Sequence, residues 1–187
     1  MSQQRFVILD RDGTIIVKYP YLANPDLVEL IPGTAQSLRE LKESGFGLVV
    51  ITNQSAIGRG FLSLETLQKI HNRLVELLQR ESITLDGIYF CPHKPEDNCV
   101  CRKPKMGLLD MASHDLGFEH KSCIIIGDNK CDIELGKQAK ATTILVRTGE
   151  GNQVAEDGSI APDFIVDDIR EAAFVIRDLL QKGQLPL

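Results

Sequence analysis

Six short hydrophobic runs recur along the chain, and most of their residues are β-branched. The runs are continuous rather than alternating with polar residues, which is typical of strands buried on both faces of a parallel sheet. They cover residues 6–9, 48–51, 88–90, 124–126, 143–146 and 164–166. We predict one β-strand at each run.

Helical periodicity fills the intervals between these runs. In the clearest interval, Leu67, Ile70 and Leu74 recur at helical spacing, and Ser63 precedes them as a preferred N-cap residue. Besides this helix, the predicted helices cover residues 34–44, 107–116, 131–141 and 169–181. The polar, glycine-bearing segment 149–162 is predicted to be a surface loop.

The alternation of strands with helices predicts right-handed βαβ units. The expected fold class is therefore α/β, with a doubly wound, mostly parallel, Rossmann-like sheet. No internal repeat or low-complexity linker divides the chain, so we expect a single domain over residues 1–187.

Polar residues follow four of the predicted strands. Ligands in open α/β sheets bind beyond the carboxyl ends of the strands, so these residues are expected to converge on one crevice. They are Asp10 and Asp12 after the first strand, Thr52, Asn53, Gln54 and Ser55 after the second, Cys91 and His93 after the third, and Asp128 and Asn129 after the fourth.

Four aspartates stand out near these strand ends: Asp10, Asp12, Asp128 and Asp132. Asp10 and Asp12 leave a strand on the same side, and Asp132 lies one helical turn beyond Asp128. Four crowded carboxylates repel one another unless a cation neutralises them. Because oxygen ligands and a substrate phosphate suit Mg²⁺, the sequence predicts a magnesium site here.

A second set of metal ligands follows the third strand. The set comprises Cys91, His93, Cys99 and Cys101. Three thiolates and one imidazole make a closed tetrahedral site, so we predict structural Zn²⁺ in a loop over residues 91–103. Arg102 and Lys103 follow the last ligand directly. The zinc is therefore expected to fix the loop that aims these two cations at a substrate.

Composition limits the partners of the chain. The formal net charge is −5, aromatic residues make up 5% and tryptophan is absent. We expect no nucleic-acid partner and no membrane partner, because an acidic chain with few aromatic rings lacks both a basic field and stacking platforms. No run of about 18 apolar residues is present, so no transmembrane helix is expected.

The five cysteines and the absence of a secretory leader favour a reducing compartment. We therefore expect a cytoplasmic protein whose cysteines bind metal or pack in the core. The expected oligomeric state is a monomer.

The motif residues resemble those of haloacid-dehalogenase-type phosphatases. The resemblance covers residues 6–150 and rests on Asp10-Arg11-Asp12-Gly13-Thr14, Thr52-Asn53, Lys103, and Gly127-Asp128 with Asp132. It implies that Asp10 is a nucleophile that forms an aspartyl-phosphate, and that Asp12 protonates the leaving alcohol and then activates water. It also implies that Thr52 and Lys103 hold the phosphoryl oxygens. The Mg²⁺ ligands would be Asp10, the backbone carbonyl of Asp12, and Asp128.

The zinc pattern with Arg102-Lys103-Pro104 is similar to that of the zinc-carrying, capless branch of this family, whose members act on D-glycero-D-manno-heptose 1,7-bisphosphate or on histidinol phosphate. Segments 52–60 and 145–151 resemble the heptose enzymes. This implies a small sugar phosphate as partner, loss of its 7-phosphate, and a place in heptose biosynthesis for lipopolysaccharide. The substrate-binding residues implied are Lys18, Tyr19, Pro20, Tyr21, Asn53, Gln54, Ser55, Arg102 and Asn129.

Two further observations qualify this resemblance. The intervals 14–32 and 52–88 leave no room for a cap domain, so we expect a minimal cap or none. The segment after Thr14 departs from the heptose pattern: Ile15-Ile16 replaces Ile-Asn, Lys18 replaces an acidic residue, and Pro20-Tyr21 replaces Gly-Tyr. Because this segment contributes to substrate contact in the family, the departure concerns the sugar and not the phosphoryl chemistry.

Four other functions fit parts of the sequence. Histidinol-phosphate phosphatases share the machinery and differ in the alcohol. A polynucleotide 3′-phosphatase has a similar Thr-Asn-Gln segment, but the acidic composition disfavours binding of a nucleic-acid strand. A phospho-accepting receiver carries its acceptor aspartate on the third strand, where this chain has Cys91. A zinc-dependent interaction module would leave the four aspartates without a role.

Overall fold

The computed structural model describes residues 4–185. Its strands are β1 (Phe6–Leu9), β2 (Gly47–Asn53), β3 (Gly87–Cys91), β4 (Ile124–Gly127), β5 (Thr142–Val146) and β6 (Phe164–Val166). Its α-helices are α1 (Thr34–Glu43), α2 (Ser55–Gly58), α3 (Leu64–Arg80), α4 (Gly107–Leu116), α5 (Lys130–Ala139), α6 (Gly151–Asp157) and α7 (Ile169–Gln181). Short 3₁₀ helices cover Pro25–Leu27, Pro95–Asp97 and His120–Ser122.

These strands form one parallel sheet in the order β3-β2-β1-β4-β5-β6. The chain winds outward from β1 on one side and from β4 on the other, so the predicted doubly wound sheet is confirmed. In the central pair, Ile8 lies opposite Ile125 and Leu9 lies opposite Ile126. Connections leave these two strands in opposite directions, which opens a crevice at their carboxyl ends.

Alternate residues of the strands face two different layers of helices. Val7 and Leu9 pack in a core with α1, α3 and α7, whereas Phe6 and Ile8 pack in a core with α4 and α5. Every residue of β1 and β4 is buried as a result. Covering both faces explains why these strands read as continuous hydrophobic runs.

Helix α3 follows the pattern from which it was predicted. The Ser63 side chain accepts a hydrogen bond from the Thr66 N–H and so caps the helix. Its buried residues are Leu67, Ile70, His71, Leu74 and Leu78. Since this helix occupies much of the interval 52–88, no separate cap domain intervenes there within residues 4–185. In the same part of the chain, no helix is both long and apolar enough to cross a membrane.

Two helices were not predicted. The segment 149–162, predicted as a loop, contains α6, so that prediction is wrong. Only Gly151 of α6 is buried, and the helix therefore lacks the apolar face that periodicity detects. Gly151 fits so closely that a Cβ there would lie 1.7 Å from the Val146 carbonyl oxygen. The other helix, α2, is a single turn of four residues and is too short for a periodic signal.

Candidate active site

A cleft of about 1030 Å³ opens where the loops after β1, β2 and β4 meet. This volume is typical of small-molecule sites. The residues that the sequence associated with catalysis or substrate binding all line it: Asp10, Asp12, Lys18, Tyr19, Pro20, Tyr21, Thr52, Asn53, Gln54, Ser55, Arg102, Lys103, Asp128 and Asn129. The fold thus brings together groups that lie far apart in the sequence.

A buried ammonium group joins two of the aspartates. Lys103 Nζ lies 2.6 Å from Asp10 Oδ1, 2.6 Å from Asp132 Oδ1 and 2.6 Å from the Ile51 carbonyl oxygen. The lysine side chain is only 3% exposed. Because an ammonium group has three protons, these three acceptors satisfy it fully and hold it in one position. Asp132 therefore belongs to the site, although the sequence assigned it no role beyond the acidic cluster.

Negative charge exceeds positive charge around this lysine. Burial raises the pKa of Asp10 to about 7; the charge of Lys103 opposes this rise and the other three aspartates reinforce it. Burial also raises the pKa of Asp128 to about 6, and repulsion from Asp132 adds to the shift. For Lys103, burial acts to lower the pKa, but Asp10 and Asp132 raise it above its usual range. The lysine therefore stays charged, but its single positive charge does not balance the negative charges of the surrounding carboxylates.

Asp128 is held in a cradle of backbone atoms. Gly13 and Gly149 both have positive φ angles, 92° and 60°. A Cβ atom would lie 2.4 Å from Asp128 Oδ2 at the first and 2.1 Å at the second. The Glu150 N–H donates to the same oxygen at 2.9 Å, and the Thr14 hydroxyl donates to the other at 3.4 Å. Glycine is needed at both positions because the backbone approaches the carboxylate closely.

The acidic group fits a hard divalent cation. Asp10, Asp128 and Asp132 each place a carboxylate oxygen within 4.8 Å of the others. The space between Gly13, Gly149 and Asp128 admits no side chain, and the donors are all oxygens, as Mg²⁺ prefers. A divalent cation would also offset the excess of negative charge.

The Asp12 carboxylate has a different set of partners. Arg11 donates to it twice, from Nε to Oδ2 at 3.0 Å and from Nη2 to Oδ1 at 3.0 Å. Gln54 Nε2 donates to Asp12 Oδ2 at 2.8 Å and to Thr52 Oγ1 at 2.9 Å. Arg11 is only 1% exposed. Sequence reasoning missed this arginine, because a charged residue between two aspartates gives no signal that it is buried.

Asn53 fixes the backbone of Lys103. Its Nδ2 donates to the Lys103 carbonyl oxygen at 3.1 Å, and its Oδ1 accepts from the Lys103 N–H at 3.0 Å. Asn53 Nδ2 also lies 3.9 Å from the sulfur of Cys131, a residue whose role the sequence left open. Burial raises the pKa of the Cys131 thiol above its usual range, so it lines the cleft as a neutral group.

The four predicted zinc ligands meet beside this cleft. The sulfur–sulfur distances are 3.5 Å for Cys91–Cys99, 3.3 Å for Cys91–Cys101 and 3.4 Å for Cys99–Cys101. His93 Nδ1 lies 3.3 Å from the Cys101 sulfur. Sulfurs at the corners of a zinc tetrahedron are about 3.8 Å apart, given a Zn–S bond of about 2.3 Å. The cluster is therefore compatible with zinc, and these cysteines are not paired as disulfides.

Helix α2 and the zinc ligands together support Arg102. The Gly58 N–H donates to the Pro92 carbonyl oxygen at 2.9 Å, which ties α2 to the zinc loop. Arg102 Nη1 donates to the His93 carbonyl oxygen at 3.3 Å. The guanidinium group lines the cleft from this anchored backbone. Lys105 turns back instead and donates to Asn98 Oδ1 at 2.6 Å.

Glu150 links three residues on the rim of the cleft. Its carboxylate lies 2.7 Å from Lys18 Nζ and accepts from Asn129 Nδ2 at 2.5 Å, while its backbone N–H binds Asp128. Lys18 Nζ is also 3.7 Å from Asp128 Oδ2. Burial acts to lower the pKa of Lys18, but Glu150 and Asp128 raise it, so this cation stays charged at the rim. Sequence reasoning missed Glu150, since it lay within the predicted surface loop.

Comparison with known proteins identifies the family. The 7-phosphatase of D-glycero-beta-D-manno-heptose-1,7-bisphosphate from Haemophilus influenzae is 36% identical over 92% of this chain and 97% of its own length. The family described as HAD-hydrolase-like matches residues 100–172. The chain belongs to the haloacid-dehalogenase-type phosphatases. The predicted family resemblance is therefore confirmed.

Solved structures of such phosphatases share the fold of this one. The D,D-heptose 1,7-bisphosphate phosphatase of B. bronchiseptica, complexed with magnesium and phosphate, superposes with a TM-score of 0.86 at 30% identity. That similarity covers 96% of this phosphatase and 99% of the other chain. The enzyme of the same name from Burkholderia thailandensis gives a TM-score of 0.73 at 26% identity, covering 93% and 99% of the two chains.

We expect the Cys99→Ser variant of this phosphatase to lose zinc and stability. Loss of one of four ligands weakens the metal site, and the zinc loop unfolds with it. The measurements are zinc content by plasma mass spectrometry and the thermal midpoint. Cys123→Ala is the control for zinc content, because Cys123 is a buried cysteine that is not one of the four ligands, so its loss is expected to leave the zinc content unchanged.

Activity is expected to distinguish the roles of the two predicted metals. After mild EDTA treatment, Mg²⁺ alone is expected to restore turnover. A wild-type chain purified without zinc, together with an unchanged midpoint for Cys99→Ser, would contradict the zinc assignment.

Proposed function

We propose that this chain removes the 7-phosphate of D-glycero-D-manno-heptose 1,7-bisphosphate through an aspartyl-phosphate on Asp10. The observation that carries the proposal is the pairing of Asp10 with the buried ammonium of Lys103 at 2.6 Å, at the carboxyl end of β1. The identity of the sugar is inferred from the names of the relatives. All the residues required come from one chain, so we propose that the enzyme acts as a single-domain monomer in the cytoplasm.

In the first step, a carboxylate oxygen of Asp10 attacks phosphorus. A new P–O bond forms to Asp10, the bond from phosphorus to the sugar oxygen breaks, and Asp12 gives its proton to the departing alkoxide. In the second step, Asp12 takes a proton from water, which attacks phosphorus and releases Asp10 and inorganic phosphate. A carboxylate nucleophile thus divides one difficult hydrolysis into two easier steps.

Fixed positive charge and hydrogen-bond donors stabilise the phosphoryl group. The positive charge of Lys103 and the Thr52 hydroxyl stabilise its equatorial oxygens, where charge accumulates during transfer. Asp10, the backbone carbonyl of Asp12, and Asp128 would hold Mg²⁺. When bound, this ion neutralises phosphoryl charge that the protein's own cations leave uncompensated.

The rest of the substrate lies along the rim. Arg102 has a planar guanidinium group that can grip a second phosphate with two hydrogen bonds. Lys18, Asn129, Tyr19 to Tyr21, Gln54 and Ser55 line the same cleft as Arg102 and are proposed to contact the rest of the sugar. A cleft without a cap domain leaves room for a sugar that carries a phosphate at each end.

A second candidate is histidinol-phosphate phosphatase, which would use the same phosphoryl machinery. Two cations on the rim, Lys18 and Arg102, favour a second phosphate over the cationic group of histidinol. A polynucleotide substrate fits less well, since the formal net charge is −5. For a phospho-receiver, β3 ends in Cys91 and offers no acceptor aspartate there.

The two aspartates of the first motif are expected to respond differently to substitution. Asp10→Asn removes the attacking charge and abolishes turnover of every substrate. Asp12→Asn is expected to slow alcohol release from an alkyl phosphate about 10²- to 10⁴-fold, because that leaving group needs a proton. Release of p-nitrophenolate, a better leaving group, falls much less.

Alcohol release in the first turnover is the measurement, so that slow hydrolysis of the phosphoenzyme does not obscure it. Asp157→Asn, an exposed substitution at the end of α6, serves as the control and retains full activity. Equal losses on both substrates would reject Asp12 as general acid.

The two cations of the zinc loop are expected to act on different parts of the substrate. Lys103→Ala lowers kcat for all phosphomonoesters, since the ammonium group acts at the transferred phosphate. Arg102→Ala raises KM for a sugar bisphosphate by about tenfold or more, and for a monophosphate much less, because it removes a charge-assisted hydrogen bond to the second phosphate. Lys121→Ala, exposed at His120–Ser122, is the control. An equal rise in KM for the bisphosphate and the monophosphate in Arg102→Ala would show that this residue does not recognise the second phosphate.

Phosphorus NMR of the reaction products tests the substrate itself. With Mg²⁺ present, heptose 1,7-bisphosphate is expected to yield inorganic phosphate and the 1-phosphate. The same assay with histidinol phosphate and other sugar phosphates ranks the candidates by kcat/KM. Survival of the 7-phosphate, or a clear preference for histidinol phosphate, would overturn the proposal.

A further inference from the structure

Two aromatic side chains stand exposed together at the mouth of the cleft. Tyr21 and Phe61 are 51% and 60% exposed, and their ring centroids lie 4.9 Å apart with an angle of 62° between the planes. Large aromatic rings are usually buried, because transfer of their surface from water is favourable. We refer to Tyr21 and Phe61 as the aromatic wall.

The backbone holds both rings outward. Each is followed by a core residue, Leu22 at 5% and Leu62 at 6% exposure, so neither ring can turn inward without withdrawing its neighbour. The Phe61 N–H donates to the Ala56 carbonyl oxygen at 2.9 Å, which fastens its loop to α2. Tyr21 has a φ of 49°, in the left-handed region that a bulky residue rarely adopts. Strained positions of this kind cluster at ligand sites.

The aromatic wall continues the lining of the cleft. Tyr21 and Ala56 both line the cleft. The Phe61 ring contacts the Tyr21 ring, and the Phe61 N–H donates a hydrogen bond to the Ala56 carbonyl oxygen. Two cations line the same cleft, Lys18 from the Tyr21 segment and Arg102 from the zinc loop. A cleft that combines an apolar surface with two cations suits a ligand that presents both C–H groups and phosphates. The carbon skeleton of a sugar bisphosphate has this chemistry.

We propose that Phe61 determines substrate specificity: with Tyr21 it packs against the carbon skeleton of the sugar, beyond the phosphate that is transferred. The inference rests on the proposed function, because it takes a sugar bisphosphate as the ligand. Phe61 therefore contributes to sugar binding, and the phosphoryl chemistry proceeds without it.

The experiment compares three variants of the full chain with Mg²⁺ present. Phe61→Ala removes the ring, Phe61→Leu keeps apolar bulk without the ring, and Phe174→Ala is the matched control. Phe174 is 65% exposed on α7, away from the cleft lining. The readouts are kcat and KM for heptose 1,7-bisphosphate and competitive inhibition by inorganic phosphate, which lacks a carbon skeleton.

Phe61→Ala is expected to raise KM about three- to tenfold, the range for loss of one aromatic contact, with kcat changed less than about twofold. Phe61→Leu is expected to fall between wild type and Phe61→Ala. Inhibition by inorganic phosphate stays unchanged in all three variants, and Phe174→Ala matches wild type throughout.

An unchanged KM in Phe61→Ala would overturn the inference. So would an equal weakening of inorganic phosphate, since the ring would then support the phosphate site. A wild-type dimer that dissociates in Phe61→Ala, measured by light scattering, would assign the aromatic wall to a second copy of the chain and overturn it too. If wild type turns over another sugar phosphate and not heptose bisphosphate, the proposed substrate fails, and the same KM comparison with the active sugar still tests Phe61.

Discussion

The site depends on one buried ammonium group. Lys103 Nζ binds the carboxylates of Asp10 and Asp132 and the carbonyl oxygen of Ile51. Burying two carboxylates without a cation would cost several kcal/mol for each charge, and the lysine between Asp10 and Asp132 offsets much of that cost. Three acceptors on three elements also fix the lysine itself. Under the proposed function, the charged groups of the phosphoryl site are already in place without substrate, which is the condition under which fixed charges are most effective in catalysis.

The backbone of Lys103 lies outside the sheet and is held partly by residues at the ends of β2 and β3. Lys103 arrives on a loop of irregular backbone, and such loops are ordinarily mobile. Two sets of contacts restrict this loop. The cluster of Cys91, His93, Cys99 and Cys101 precedes Lys103 in the chain, and Asn53 forms two hydrogen bonds with the Lys103 backbone. A bound zinc would supply the rigidity that a loop of this length lacks. If zinc binds there as predicted, the structural site and the proposed catalytic lysine belong to one continuous loop.

The sequence predicts most of the fold because burial on both faces leaves continuous apolar runs in the strands. It predicts the convergence of the residues that follow β1, β2 and β4 for the same reason, since topology places these strand ends together once the strands are known. Cys91 and His93, expected in the same crevice, lie beside the cleft and not in its lining, because they meet Cys99 and Cys101 instead. It does not predict α6, whose Gly151 is fixed by contact with Val146 and not by an apolar face. Nor does it reveal that Arg11 is buried against Asp12, or that Glu150 joins Lys18 to Asn129. The burial of Arg11 and the contacts of Glu150 depend on tertiary neighbours, and no local spacing encodes them.

The floor and the rim of the open cleft differ in their exposure to solvent. On the floor, Lys103 and Asp132 are buried, Asp10 is partly buried, and both aspartates bind the lysine, so these residues suit a reaction common to all phosphomonoesters. Residues 4–185 contain no cap domain that could close over the cleft, so under the proposed function selection among sugars depends on side chains that solvent still reaches. Lys18, Arg102 and the aromatic wall are of this kind, and each belongs to a loop. The segment after Thr14, which departs from the family pattern at Lys18 and Pro20, forms part of this rim. Changes there can alter the sugar that is bound while the buried floor, and with it the phosphoryl chemistry, stays the same.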